Sequence, residues 1–336
     1  MKITIVTPRR PGVASGNDVT SARWAARLGE LGHSVALATV DESGAVFDPQ
    51  ADDVAEGADL LVVLHARRCA SAVAASRSNA PNRPVVVGLA GTDLYKDLPD
   101  NAVARASIDA ADRLVVLQAA AIGRLGDMAP QLAAKAHVVY QSVEPPLPAR
   151  SQGDGSFVVV VLAHLRDVKD PLLAAEAVRL LPDSSAVTVL HAGHAHDDIW
   201  HERASAEAAA NERYRWLGEV DRDHALELLA TATVLACTSR LEGGANVVSE
   251  AIAMGVPVVG TAIDGNYGLL GMDYPGLVPV GDATALGGWL NDLETRPALL
   301  DDLVERVRDR VSQSSPATER AGWKAVLNAI DQPMCQ

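Results

Sequence analysis

The sequence predicts an α/β fold with two domains, each built on a parallel sheet that helices cover on both faces. Short apolar runs alternate with helix-forming segments along the whole chain, an order typical of parallel strands joined by helices. Residues 142–156 interrupt this alternation with a stretch rich in proline, glycine and polar residues, as expected of a linker. The chain has 336 residues, of which 48% are hydrophobic, and this is sufficient for two cores.

The first domain is predicted to span residues 1–145. Six apolar runs bounded by polar or turn residues predict its strands: Ile3–Val6, Ser34–Ala38, Leu60–Leu64, Val85–Leu89, Leu114–Leu117 and Val138–Tyr140. Helix-forming residues occupy the intervening segments, such as Thr20–Leu31 and Ser71–Arg77.

The second domain is predicted to span residues 156–312. Its predicted strands are Phe157–Leu162, Val187–Ala192, Tyr214–Leu217, Val234–Thr238, Val256–Thr261 and Gly276–Val280. Helices are expected over Pro171–Leu181, near His224–Ala230 and directly after a glycine pair at 243–244. The remaining segment, 313–336, predicts a helix near Thr318–Ile330 that can cross back to the first domain.

The formal net charge of −14 argues against nucleic acid or an anionic membrane as the main partner. The first residues predict a strand rather than a signal peptide, and no apolar run approaches the roughly 20 residues of a membrane helix. We therefore expect a soluble, cytoplasmic protein whose partners are small-molecule substrates, with no stable membrane association. Three widely spaced cysteines do not suggest a disulfide framework, and the oligomeric state stays open.

The most informative segment is Glu242-Gly-Gly-Ala-Asn-Val-Val-Ser-Glu250. Parallel sheets bind ligands at the carboxyl ends of their strands, and this segment follows a predicted strand and opens a predicted helix. Main-chain amides at a helix start attract anions and hydroxyl-rich ligands, and carboxylates accept several hydrogen bonds from sugar hydroxyls. The combination predicts a nucleotide-sugar site.

A second motif, His164-Leu-Arg-Asp-Val-Lys-Asp-Pro171, follows the strand at Phe157–Leu162. Arg166 and Lys169 are suited to holding a diphosphate, because one offers a planar fork of donors and the other a compact charge. Neither a Walker lysine nor an acidic metal motif accompanies them, so we expect no cofactor and no metal. The histidines and aspartates of residues 191–201 lack zinc-site spacing and predict a polar loop.

Loops of the first domain supply candidate acceptor-binding residues. The loop after the first strand lacks the glycine spacing of a dinucleotide fold and leads into Gly16, Asn17 and Thr20. Two further loops follow buried strands and carry His65, Arg67, Arg68 and Asp93. His65, Asp93 and Asp18 are all candidates for a general base. Loops that can face the acceptor also carry the cations Arg9, Arg10 and Lys96.

Taken together, these motifs resemble the GT4-like glycosyltransferases, and the resemblance covers essentially the whole chain. It implies the GT-B fold, in which two Rossmann-like domains face each other across a cleft. It also implies that Glu242 contacts sugar hydroxyls, Glu250 contacts the ribose, and Arg166 and Lys169 hold the diphosphate. The implied catalytic residues are thus Arg166, Lys169 and Glu242, and the implied donor-binding residues are Gly16, Gly243, Gly244, Ala245, Asn246, Val247 and Glu250.

A narrower resemblance is to the selenosugar synthases of selenoneine biosynthesis, the SenB family. It is carried by seven segments: Pro11–Trp24, Leu64–Arg68, Gly91–Tyr95, Val115–Gln118, Gln141-Ser142, the His164–Pro171 motif and the Glu242–Glu250 motif. It implies transfer from a UDP-sugar, typically UDP-GlcNAc, to selenophosphate, with inversion at the anomeric carbon. A selenophosphate nucleophile is anionic and soft, so it requires cations more than a strong base.

Two other functions are compatible with the same residues. One is a GT4-like transferase that places a hexose on a hydroxyl of a small molecule or lipid. The other is a two-lobed small-molecule binding protein without catalysis. Turnover of the donor distinguishes a transferase from a binding protein. The identity of the acceptor distinguishes transfer to a hydroxyl from selenosugar synthesis.

Overall fold

A computed structural model describes residues 1–8, 16–41, 57–145, 147–150 and 155–330. The chain divides into two compact units. The first unit comprises Met1–Ser142 and Ser315–Gln336, and the second unit comprises Val143–Ser314. The last helix thus belongs to the first unit, although the intervening 172 residues belong to the second.

The first unit is built on a parallel sheet. Its strands are β1 (Lys2–Pro8), β2 (Ser34–Val40), β3 (Leu60–Leu64), β4 (Val85–Leu89), β5 (Arg113–Val116) and β6 (Ala136–Val138). Their order in the sheet is β2-β1-β3-β4-β5-β6, and each neighbouring pair is parallel. The described helices are α1 (Gly16–Glu30), α2 (Ala70–Asn79), α3 (Ala102–Ala110), α4 (Ala120–Met128), α5 (Pro130–Lys135) and, at the chain end, α13 (Pro316–Ile330). A short π-helix covers Asp93–Asp97.

Two hydrophobic clusters lie on opposite faces of this sheet. Because side chains alternate along a strand, Val62 packs in one cluster and Val63 in the other. The first of these clusters includes Trp24 of α1 and Trp323 of α13, whose rings meet edge to face at 5.0 Å. The last helix is therefore part of the core of the first unit rather than an appendage.

The second unit repeats the same architecture. Its strands are β7 (Phe157–Leu162), β8 (Val187–Ala192), β9 (Tyr214–Trp216), β10 (Val234–Cys237), β11 (Val258–Thr261) and β12 (Leu277–Val278). They lie in the order β12-β11-β10-β7-β8-β9, again all parallel. The helices are α6 (Leu173–Arg179), α7 (Asp198–Ala210), α8 (Arg222–Thr231), α9 (Asn246–Met254), α10 (Asp264–Leu270), α11 (Ala283–Thr295) and α12 (Pro297–Arg308). Two 3₁₀ turns cover Asp167–Lys169 and Val311–Ser314.

Each predicted strand has a counterpart in the structure, and the main differences lie at two sheet edges. The strand predicted at Val138–Tyr140 is instead Ala136–Val138, because Ala136 is in register with Leu114 of β5. The strand predicted at Gly276–Val280 is only Leu277–Val278, since Pro279 has no N–H with which to continue a ladder. Each unit is thus a Rossmann-like α/β domain, as the sequence predicts.

Cys69 and Cys237 are buried and carry no disulfide, and Cys335 lies outside the described residues. Burial raises the pKa of the Cys237 thiol to about 11. Among the described helices, none is long and apolar enough to cross a membrane.

Candidate functional site

Three adjacent strands of the second unit, β11, β10 and β7, direct their following loops to the same edge of the sheet. The loop after β7 ends in the turn Asp167–Lys169, and the loop after β10 leads into α9. These two loops carry Arg166, Lys169 and Glu242, and Glu242 is 73 residues from Lys169 in the chain. The parallel topology therefore places them where ligands bind in sheets of this type.

Lys169 and Glu242 are in direct contact. The Lys169 amine reaches Oε1 of Glu242, and the Ser239 hydroxyl donates to the same oxygen at 2.7 Å. The exposed fractions of the two charged side chains are only 18% and 13%. The Thr238 hydroxyl also donates to the main-chain carbonyl of Lys169 at 3.0 Å. A cation and a carboxylate predicted to bind one ligand thus already lie side by side.

Main-chain and ionic contacts fix the loop that carries Arg166. The Arg240 N–H donates to the Val168 carbonyl at 2.9 Å, and the Arg240 guanidinium pairs with Asp170 at 2.8 Å. Asp170 adopts a left-handed conformation with φ of 45°, which ends the short turn after Lys169. Arg166 itself is exposed at the start of this turn. Its guanidinium is therefore on the same loop as Lys169.

Helix α9 begins immediately after the glycine pair and places Glu250 in its second turn. Gly255 ends the helix with φ of 65°, a conformation that glycine adopts without strain. Gly243 and Ala245 are buried, whereas Gly244, Asn246 and Val247 are partly exposed. The dipole of α9 and its first-turn amides favour an anion at this end of the helix.

Glu250 is 8% exposed and forms an ion pair with a residue that was not predicted. The Arg222 guanidinium lies 2.7 Å from Oε1 of Glu250. Arg222 is the first residue of α8, after the helix cap Asp221. The only signal for it in the sequence is a charged pair, Asp221-Arg222, between a strand and a helix, and such pairs are usually solvated.

His164 lies on the loop after β7 together with Arg166 and Lys169. Its Nδ1 accepts a hydrogen bond from the His194 main-chain N–H at 3.2 Å. Partial removal from water lowers the pKa of His164, and the charge of Arg166 lowers it further. The ring is therefore neutral at pH 7 and carries its proton on Nε2.

The histidine-rich segment after β8 forms a polar loop, as the sequence predicts. His194, His196 and His201 line a cavity of about 450 Å³ together with Asp198, Trp216 and Glu219. Asp197 caps α7 by accepting from the Trp200 N–H at 2.9 Å. His191 is separate, because it is buried in β8 between the Tyr214 hydroxyl and the Ala163 carbonyl. Among the described residues, this segment holds no set of three close metal-ligand atoms.

The predicted residues of α1 in the first unit have two different surroundings. Gly16 and Asn17 open the helix and are at least partly exposed. Thr20 is buried, with its hydroxyl 2.9 Å from the Gly16 carbonyl and 3.0 Å from Oε1 of Gln141. The hydroxyl of Thr20 is thus used within the fold. Arg9 and Arg10 lie outside the described residues.

His65 and Asp93 form a buried pair at the carboxyl ends of the neighbouring strands β3 and β4. Nδ1 of His65 lies 2.6 Å from Oδ1 of Asp93, and their exposed fractions are 1% and 0%. Arg67 is exposed and pairs with Asp97 at 2.8 Å. Arg68 is partly exposed, and Lys96 is exposed. The structure thus brings His65 and Asp93 into direct contact, with cations on the surrounding surface.

His65, Asp93 and Asp97 also place one ligand atom each within 4.8 Å of one another, a spacing that can suit a metal ion. The carboxylate oxygens of Asp93 and Asp97 already accept hydrogen bonds from other groups. Asp93 accepts from main-chain N–H groups, and Asp97 pairs with the Arg67 guanidinium. A metal would have to displace Arg67 from Asp97 and bind a His65 nitrogen that faces Asp93. The three side chains therefore fit a hydrogen-bonded cluster better than a metal site.

Residues 148–310 match the family of glycosyl transferases group 1. Solved structures resemble the chain over almost its whole length. HepE of Anabaena, in complex with UDP-glucose, has 17% sequence identity and a TM-score of 0.78, covering 97% of this chain and 99% of that chain. Sucrose-phosphate synthase from Thermosynechococcus elongatus has 16% identity and a TM-score of 0.78, covering 98% and 99%.

A variant of TarM from S. aureus, solved with fondaparinux, α-GlcNAc-glycerol and UDP, is similar at 14% identity and a TM-score of 0.64. The match covers 82% of this chain and 56% of TarM. No curated protein sequence matches the chain significantly. At these identities the structural likeness establishes the fold, and the family match adds the activity. Residues 148–310 therefore form a group 1 glycosyl transferase domain, and the chain is a glycosyltransferase of the GT-B fold.

Proposed function

We propose that this glycosyltransferase is a selenosugar synthase, which transfers a hexosyl group from a UDP-sugar to selenophosphate. The donor we propose is UDP-GlcNAc. The observation that carries the donor half of the proposal is the contact between Lys169 and Glu242, with Glu250 on the helix that follows. The acceptor half rests on the sequence resemblance to selenosugar synthases.

In the proposed complex, Glu242 accepts hydrogen bonds from sugar hydroxyls and Glu250 accepts them from the ribose. Lys169 and Arg166 hold the diphosphate, and the first-turn amides of α9 add uncharged donors. Lys169 and Glu242 are mostly buried, and fixed donors stabilise developing charge strongly where solvent access is low. Lys169 is suited to a catalytic role because it lies on the loop that would hold the diphosphate and contacts the carboxylate that would hold the sugar.

The reaction is a substitution at the anomeric carbon. A selenium lone pair forms the C–Se bond while the bond between C1 and the diphosphate oxygen breaks, and its electron pair leaves with UDP. Inversion at C1 follows from attack on the face opposite the leaving group. The first product is a phosphorylated selenosugar, from which water later removes the phosphate. The charge that develops on UDP is offset by Arg166, Lys169 and the amides of α9.

Similar structures support a uridine nucleotide as the donor. HepE was solved with UDP-glucose, and the TarM variant with UDP and α-GlcNAc-glycerol. The preference for GlcNAc rests on the narrower sequence resemblance. Glucose, GlcNAc and GalNAc donors therefore belong in the same experiment.

A second candidate function is transfer to a hydroxyl of a small molecule or lipid. The buried His65–Asp93 pair favours it, because a histidine oriented by a carboxylate is a common arrangement for handling the proton of a hydroxyl nucleophile. Selenophosphate has less need of such a group.

The test is to incubate the full chain with UDP-GlcNAc, UDP-glucose or UDP-GalNAc and with selenophosphate. UDP release is followed, and mass spectrometry detects products by the isotope pattern of selenium. We expect the wild type to form a selenium-containing hexose. The control variant Lys169→Ala should form little of it. Glycosylation of alcohols without a selenium product would refute the proposed acceptor. UDP-sugar binding without turnover would instead indicate a binding protein.

A further inference from the structure

His65 has a backbone conformation that non-glycine residues rarely adopt. Its φ is +95°, and in the described part of the chain only Asp170 is a second non-glycine residue with positive φ. Such conformations are costly and persist where the surrounding structure enforces them, often at functional sites. The ring of His65 is thus held at the end of β3 against a conformational cost.

Asp93 provides the surroundings that hold the ring. Its Oδ2 accepts from the main-chain N–H groups of Ala66 at 3.1 Å and Ala90 at 3.3 Å. Its Oδ1 lies 2.6 Å from Nδ1 of His65. The carboxylate is fully buried, and these donors offset the cost of removing its charge from water.

This arrangement determines the tautomer of His65. At 2.6 Å from a carboxylate oxygen, Nδ1 must carry a proton, so in the neutral ring Nε2 has only a lone pair. The Thr92 hydroxyl lies 3.3 Å from Nε2. The Arg68 N–H also lies 3.4 Å from Nδ1. When the ring is neutral with its proton on Nδ1, Thr92 is the donor in this hydrogen bond, and the lone pairs of its oxygen are left for another group. Thr92 is partly exposed, whereas His65 is not.

We propose that Thr92 is an acceptor-binding residue, whose hydroxyl oxygen accepts a hydrogen bond from a proton-bearing group of the acceptor substrate. The inference rests on the proposed function and on the sequence prediction that loops of the first domain bind the acceptor. His65 and Asp93 are positioning residues, because they act on the acceptor only through the orientation of the Thr92 hydroxyl. A protonated oxyanion or a hydroxyl fits this site, and a group without a proton is disfavoured.

The decisive comparison is between Thr92→Val, which keeps the shape of the side chain but lacks the hydroxyl, and Thr92→Ser, which keeps the hydroxyl. We expect Thr92→Val to raise KM for the acceptor about 3- to 10-fold, as for a lost neutral hydrogen bond, and to leave KM for the UDP-sugar unchanged. Thr92→Ser should behave like the wild type. Thermal unfolding of all three proteins shows whether the variants are folded.

A double-mutant cycle with His65→Asn tests the positioning role, since asparagine tolerates positive φ and lacks a group at Nε2. The acceptor KM of the double variant should be no higher than that of the more impaired single variant. If His65→Asn fails to fold, the comparison of Thr92→Val with Thr92→Ser still tests the inference. Equal acceptor KM values for Thr92→Val and wild type would overturn the inference, as would an equal rise of KM for both substrates.

These kinetics are measured on whichever acceptor the wild-type enzyme glycosylates. Failure of selenophosphate to react therefore refutes the proposed acceptor, while the comparison of Thr92→Val with Thr92→Ser still decides the role of the hydroxyl on an alcohol.

Discussion

Gly265 of α10 lies against the main chain of Glu242. A β-carbon at position 265 would lie 2.5 Å from the Glu242 carbonyl oxygen and 2.8 Å from its Cβ. Any side chain larger than hydrogen must therefore move the loop that carries the proposed sugar-binding carboxylate. The glycine is required by this close approach.

We expect Gly265→Ala to weaken UDP-sugar binding by about 1 to 3 kcal/mol, the usual cost of overpacking, because Glu242 and its contact with Lys169 are displaced. Isothermal titration with UDP and the UDP-sugar measures this. Gly288→Ala is the matched control, since Gly288 lies in α11 with no atom within 4 Å of an added Cβ. It should leave binding intact and stabilise the fold by about 0.5 to 1 kcal/mol. Unchanged binding in Gly265→Ala would contradict the packing argument.

Lys169→Ala should reduce kcat about 100- to 1000-fold, similar to the loss of a main donor to a developing negative charge, with a smaller change in UDP affinity. The reason is that the amine is expected to meet the charge of the departing diphosphate. Steady-state kinetics over a range of UDP-sugar concentrations separates kcat from KM. Arg306→Ala removes a partly exposed cation of the same unit that pairs with Asp302, and its kinetics should match the wild type. A normal kcat for Lys169→Ala would remove the residue from the catalytic group.

Glu250→Ala should weaken UDP binding about 10- to 100-fold, corresponding to one or two charge-assisted hydrogen bonds, and change kcat little at saturating donor. It also leaves Arg222 without the partner at 2.7 Å. Arg222→Ala in a Glu250→Ala background should then have a smaller effect than in the wild type. Glu227→Ala, an exposed carboxylate on α8, is the control. Fully additive effects would show that the pair does not act as a unit.

The pH dependence of stability should depend on His191. Burial is the main cause that lowers the pKa of this imidazole to about 4 in the folded protein. In the unfolded chain a histidine binds its proton near pH 6.5, so the unfolded state takes up protons first on acidification. His191 alone should thus lower the free energy of unfolding by about 3 kcal/mol between pH 6.5 and pH 4, with no further loss below that range.

Urea denaturation of wild type and His191→Gln at several pH values measures this effect. The variant is expected to be less stable at pH 7.5, and the informative quantity is its shallower loss of stability on acidification. His224→Gln, at the exposed start of α8, should keep the wild-type slope. If wild type and His191→Gln have the same slope, the buried imidazole does not account for acid sensitivity.

Much of the fold follows from local sequence patterns. The runs Leu60–Leu64 and Phe157–Leu162 are apolar and bounded by polar residues, and the strands have those limits. The glycine-pair helix is likewise where the sequence places it, because glycines and a following apolar run mark a helix start. Strand limits at the sheet edges were less predictable, as at Ala136–Val138, since pairing with a neighbour sets them.

The candidate site was predictable in its residue types but not in its contacts. Glu242, Glu250 and Lys169 are conspicuous because charged residues follow buried strands. Arg222, which pairs with Glu250, and Thr92, the proposed acceptor-binding residue, were not among the predicted site residues, because an exposed arginine and a threonine near a strand end have no distinctive pattern. Thr20, which the sequence predicts to bind the acceptor, also donates a hydrogen bond to Gln141, 121 residues away in the chain, and no local pattern indicates that contact.

The order of apolar and polar residues by itself determined two parallel α/β domains, the loops that follow their strands and the acidic and basic residues on those loops. The spacing of apolar residues within a short window of sequence indicates which face of a strand or helix is buried. Only the tertiary structure decided which charges meet: Lys169 with Glu242, Arg222 with Glu250, His65 with Asp93. Those pairings depend on strand order and on distances of a few ångströms between segments remote in the chain.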